Sequence, residues 1–307
     1  MPSPLPLIDA TRSGAKTVAL PAPGSLPART VAANGLIDRL RGSVSERPAV
    51  DPGLAGGLRA WLEDGTSTAP DRGRLIVEPG PRSGLTVLVV PAAGMPGQPA
   101  RQAPCRRGAP PRSGADLRAI LLRTVLRLTL TAGPPRAPFE DALAALAVSE
   151  WGGLVVEDVG RLSRHRGSEL REVVRHGATG IAHGWAPPPA AWLPRTGDRV
   201  IVPLAGGRVV LQSDSDLVLG APSAGRASVC MMRALPGDGT LEGGKVRRFL
   251  MLLETLRSGA APFRVASYDL DRGRLVVDDV TEATLSAAVQ EVLALLRRRL
   301  DASEGAR

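Results

Sequence analysis

The chain has 307 residues, a formal net charge of +9, 43% hydrophobic residues and only 3% aromatic ones. That length can bury one large core or two modest ones, no run approaches the ~20 apolar residues of a spanning helix, and two dissimilar cysteines, Cys105 and Cys230, argue against a disulfide framework or a thiolate zinc site. The positive charge is almost entirely arginine, with Lys16 and Lys245 the only lysines. It fits a GC-rich coding bias as readily as a phosphate-binding surface, and the scarcity of aromatics argues against a base-stacking platform.

From the N-terminus, residues 1–50 are rich in Pro, Ala, Ser and Gly and read as a disordered tail, with a short helical segment over 36–40. The opening MPSPLPLIDATRSGAK lacks a basic start followed by an apolar block. No secretory leader is therefore expected, and a cytoplasmic location is. Residues 51–110 read as a small helix and hairpin followed by a Pro/Arg/Gly-rich loop. Leu54, Leu58, Trp61 and Leu62 recur on one helical face, and strands are expected over 74–77 and 85–90.

Residues 111–307 read as the main domain. The run DLRAILLRTVLRLTLT over 116–131 has the spacing of a buried helix stopped by Gly133-Pro134-Pro135. A short alanine-rich helix over 139–149 follows, then a longer one over 160–183 with a break expected at Gly167 or Gly177. Strands are expected over 199–203, 208–212, 216–219 and 227–232. A helix over 245–257, strands over 263–270 and 274–277, and a closing helix over 281–300 complete the series. Thr281, Thr284 and Glu282 supply that last helix with an N-terminal cap and an acid near its positive end. The order of elements predicts an α/β domain with a central mixed sheet flanked by helices.

Chemistry concentrates in the last third. WLPRTGDRVIVPLAGGRVVLQSDSDLVLG, then LLETLRSGAAPFRVASYDLDRGR and VDDVTEATL, together resemble the PD-(D/E)XK nuclease superfamily, in its RecB-like actinobacterial form. The resemblance covers residues 192–288 well and reaches back more weakly to 116. It implies a restriction-endonuclease-like fold and metal-assisted phosphodiester hydrolysis, in which an acid on one strand and an acid-x-lysine on the next hold magnesium and position water.

Asp216 falls at the first acid position. The second position falls on Met231, Met232 and Arg233. A thioether is too soft and carries no charge for magnesium, and Arg233 can orient phosphate or water but does not act as a base. Two readings stay open. In one, the site is lost and DNA binding survives through Arg233, Arg247 and Arg248. In the other, Glu242 or Glu254 supplies the second acid and Lys245 the lysine, so that Asp216 and Glu242 hold Mg2+ and Asp216, Arg233, Lys245 and Glu242 do the chemistry. A third possibility is a non-enzymatic protein that holds an unidentified partner protein.

The remaining residues have plainer readings. Met231 and Met232 read as core filler, and Glu254 as an ion-pair partner of Arg257. Asp214 reads as part of a hairpin turn with Ser213 and Ser215; on an extended strand it would face the same side as Asp216 and add an oxygen ligand. Asp278-Asp279 reads as a loop before a helix. His165, His176 and His183 read as surface positions, and the glycines from 237 to 244 as turns.

Overall fold

The computed structural model describes residues 16–18, 35–42, 51, 53–67, 74–80, 84–90, 113–149, 152–221, 228–236 and 240–304, without the side chains at 16–18, 240–242 and 303–304. The chain is α/β, with two mixed sheets in place of one central sheet. The larger sheet runs β1 (Lys16–Val18), β9 (Arg274–Asp279), β8 (Arg264–Asp269), β7 (Cys230–Leu235), β6 (Leu217–Leu219). The smaller runs β3 (Leu85–Val90), β2 (Arg74–Pro79), β5 (Val209–Ser215), β4 (Asp198–Leu204). β7 and β8 are parallel and joined through α7 (Thr240–Ser258), a βαβ unit, while β2 pairs in parallel with β5. The hairpin expected within 51–110 therefore shares a sheet with strands from beyond residue 198.

Both faces of the larger sheet are buried, and the strand residues alternate between them as the period of two requires. Cys230, Met232, Ala234, Ala266 and Tyr268 join one core with α1 (Gly35–Arg41), α3 (Gly114–Ala132), α4 (Pro138–Ala147), α5 (Gly153–Gly160) and α6 (Arg164–Gly184). Met231, Leu235 and Val265 join a second core with α7, α8 (Glu282–Glu304), α2 (Leu54–Thr66) and the inner face of the smaller sheet. The two methionines are thus core filler, one in each core. Residues Phe249 to Leu253 of α7 are all buried, because over this stretch the helix has sheet residues and α8 packed around it.

Several local expectations change. α6 passes through Gly167 and Gly177 without a break. Gly177 is there for closeness: a Cβ on it would stand 2.7 Å from Leu122 Cδ2 of α3, and α3 and α6 pack tightly along that line. α7 begins at Thr240 and takes in Gly243 and Gly244, so these two glycines are helical and not turns. Asp278 and Asp279 end strand β9 and do not form a loop. Within the tail, α1 buries Leu36, Ile37 and Leu40, and β1 adds a short antiparallel strand to β9. The three histidines lie exposed on α6, as expected.

Candidate functional site

Asp216 stands at the corner between the two sheets. The strand run 209–219 is continuous in sequence, yet β5 belongs to the smaller sheet and β6 to the larger, and Asp216 is the single residue between them. The Ser-Asp-Ser sequence before it is no turn. β4 holds β5 in register over seven residues, from Asp198↔Ser215 to Leu204↔Val209, so Asp214 is a strand residue opposite Arg199.

At the corner, the Asp216 backbone N–H donates to the Met232 carbonyl at 2.9 Å, and the Ala234 N–H donates to Asp216 Oδ2 at 2.8 Å. The side chain thereby takes over the strand ladder where β6 turns away from β7. The carboxylate is 0% exposed. Its remaining acceptor capacity goes to two arginines from α3. Arg123 Nε lies 3.0 Å from Oδ2, Arg123 Nη2 lies 3.0 Å from Oδ1, and Arg127 Nε lies 2.7 Å from Oδ1. Arg123 and Arg127 are four residues apart, on one face of a helix fixed at its start by a Ser113–Asp116 capping box.

Asp214 accepts from the same pair: the Nη2 atoms of Arg123 and Arg127 both lie 2.6 Å from its Oδ2. Arg233 of β7 reaches the cluster from the other side, donating to Asp214 Oδ1, to the Asp214 carbonyl and, at 3.0 Å, to Ser213 Oγ. Three guanidiniums and two carboxylates thus meet where both sheets and α3 converge.

Burial alone would raise both acids, but the Arg123 guanidinium foremost, with Arg127 and Arg233, outweighs it and holds Asp214 and Asp216 below the ordinary carboxylate range. Burial pushes the Arg233 guanidinium down, with Arg123 adding to that, while Asp214 opposes both.

The other candidates stand elsewhere. Glu254 of α7 is buried and bonded to Arg257 at 2.8 and 2.9 Å, with Asp198 and Arg195 nearby. Burial raises its carboxyl despite those cations. Arg247 is 4% exposed and spans Asp278 (2.6 Å) and Ser267 (2.7 Å). Arg248 is bonded to Glu291 of α8. Lys245 is half-buried on α7, and the side chain of Glu242 lies outside the described residues.

The donor set does not fit a magnesium centre. Every strong acceptor direction of Asp216 is occupied by an N–H, three guanidiniums surround the Asp214–Asp216 pair, and Met231 and Met232 are turned into opposite cores. Among the described residues no group of three or more His, Cys, Asp or Glu is placed to hold a metal. Arg233 and Arg247, expected as nucleic-acid contacts, are spent on internal carboxylates. The residues that organise the corner and were not singled out in the sequence are Arg123 and Arg127. Their one signal is a pair of arginines at helical spacing inside an otherwise buried apolar run.

No helix among the described residues is long and apolar enough to cross a membrane. No protein family, no curated protein and no solved structure matches this chain.

Proposed function

We propose that this chain is a non-catalytic protein-interaction module, in which the aspartate pair at the sheet corner serves as an ionic connector and not as a metal site. The observation that supports this is the saturation of Asp216 by Arg123, Arg127 and the Ala234 N–H. A carboxylate that must ligate a hard cation needs oxygen lone pairs free or held by water, and it gains nothing from a surrounding triad of guanidiniums. The PD-(D/E)XK ancestry, a restriction-endonuclease-like descent of the layers and a cytoplasmic location belong to the same proposal. A mixed sheet built around a βαβ unit is compatible with that ancestry, and fold ancestry does not carry activity with it.

The test is direct. Purified full-length protein is incubated with supercoiled plasmid and with linear duplex in MgCl2 or MnCl2. The expected result is intact DNA at all times. Cleavage that disappears in Asp216→Ala would overturn the proposal and restore the nuclease reading.

A further inference from the structure

Each sheet has two edges, and an unpaired edge offers a row of N–H and C=O groups to any passing strand. Three of the four edges here carry the usual protection. β1 and β6 are three residues long, and β6 is further covered by the segment before β4, where Arg195 and Val218 exchange backbone hydrogen bonds at 2.8 and 2.9 Å. β4 carries Asp198, Arg199 and Pro203 along its length. Among the described residues, the fourth edge, β3, has none of these devices. Its sequence is LTVLVV, without charge or proline, and it pairs with β2 over six consecutive residues with no bulge. Among the described residues no strand pairs with its other side.

β3 also borders an open groove of about 420 Å³, lined by Leu85, Thr86, Val87 and one face of α8: Leu295, Arg298, Arg299 and Ala302. Leu85 and Val87 lean on the second core, and Val89, next in the same alternating row, is 46% exposed. The adjoining basic run Arg297–Arg299 is exposed and has no ion pair among the described residues, whereas Arg248 of α7 is bonded to Glu291. Residues 91–112, which continue the chain from β3, contain Arg101, Arg106, Arg107 and Arg112 and no acid, so their charge does not complement the groove.

We infer that β3 and the Arg298–Arg299 face of α8 form a docking site for an extended acidic segment of a partner protein, which adds to the smaller sheet as a fifth strand. Main-chain hydrogen bonds to β3 would hold it, an apolar side chain would enter the groove over Leu85 and Val87, and carboxylates would meet the two guanidiniums. An apolar floor and a strand edge suit a polypeptide better than a nucleic acid, which has no backbone donors to match. This assignment rests on the non-catalytic reading above and names its partner class.

The probes are fluorescein-labelled octapeptides. One alternates Glu and Val, one alternates Lys and Val, and one carries Pro in place of every second Val in the acidic sequence. A 20-base-pair duplex of random sequence is the fourth. Binding to the full-length protein is read by anisotropy, and β3 amide exchange is followed with and without the acidic peptide. The Glu/Val peptide is expected to bind, to slow exchange across residues 85–90, and to lose roughly tenfold or more in affinity against Arg298→Glu/Arg299→Glu, since two exposed attractions are replaced by two like-charge repulsions. The Lys/Val and proline peptides should not bind.

Equal binding of all three peptides, binding without protection of β3, or tighter binding of the duplex than of the acidic peptide would each overturn the docking site. So would no binding at all. None of these outcomes touches the non-catalytic reading, which falls only on metal-dependent cleavage.

Discussion

Replacing Asp216 by Asn tests the corner most sharply, because the change keeps the shape and removes the charge. The carboxylate receives four donor groups, with Ala234 N–H and Arg123 Nε at Oδ2 and Arg123 Nη2 and Arg127 Nε at Oδ1. An amide offers one acceptor oxygen and one NH2. If the NH2 takes the Oδ2 place, it opposes the Ala234 N–H, and a buried donor left alone costs about 1–3 kcal/mol. If it takes the Oδ1 place, it faces Arg127 and Arg123 instead. In both rotamers two guanidiniums lose their counter-charge. Breaking a buried pair costs about 3–5 kcal/mol, and the lower end applies here because Arg123 and Arg127 are 18% and 31% exposed and Asp214 remains to receive them.

The expected loss at pH 7 is therefore about 3 kcal/mol, read as a lower urea midpoint by circular dichroism. The pH dependence has a definite sign. Asp216 is held below its unfolded value of about 3.9. Its contribution is thus complete above that value and is lost as pH falls through the folded one, so wild type and variant should converge in acid. A variant within about 0.5 kcal/mol of wild type at pH 7 would refute the reasoning. A variant more stable than wild type would do so more decisively, since that is how an acid retained for function at the expense of stability behaves.

Three further outcomes follow from the same geometry. Arg247→Met should cost about 3–5 kcal/mol in urea unfolding by stranding Asp278 beside Ser267, and Arg247→Met/Asp278→Leu should recover most of it. A double variant no better than the single one refutes the pairing. Gly167→Ala, with nothing within 4 Å of the new methyl, should gain up to about 1 kcal/mol from helix propensity, while Gly177→Ala should be neutral or worse, since its methyl meets Leu122. Equal thermal shifts for the two variants would contradict the close α3–α6 contact. Glu254→Gln should show the opposite pH trend to Asp216→Asn. Burial raises the Glu254 carboxyl, so its contribution is present at low pH and lost as pH rises through the folded value, and the variant should gain on wild type over that window in urea titrations at stepped pH.

What was legible in the sequence was local. The buried run of α3, the strand–helix–strand series through α7 and the cap of α8 follow from periodicity and end signals that act within a few residues. Asp216 also stood out, as the one acid opening an apolar strand. Its partners did not, because Arg123 and Arg127 lie 93 and 89 positions earlier, and an i,i+4 arginine pair reads as a solvated stripe until the fold buries it. Nor could the sequence divide one strand run between two sheets. Ser213-Asp214-Ser215 has turn composition, and only the seven-residue pairing with β4 overrides it. Asp278 failed in the same way. Two adjacent acids before a helix favour a loop, and the ion pair that keeps Asp278 in β9 comes from α7.

These pairings also change the meaning of the net charge. Arg123, Arg127, Arg233 and Arg247 are bonded to Asp214, Asp216 and Asp278 in the interior, where they join sheets to helices and present little charge outward. The basic residues of α8 differ. Arg297, Arg298 and Arg299 are exposed and have no ion pair among the described residues, and they lie before the last turn of a helix that continues to Glu304. Attraction to the helix C-terminal dipole falls off within one turn, so it gives little reason for three adjacent cations there. Their position beside β3, the edge without protection among the described residues, does. A cationic helix face next to a β-strand edge attracts acidic chains. The charge that suggested nucleic acid in the sequence is thereby divided between interior connectors and exposed arginines, and those of α8 beside β3 favour an acidic polypeptide.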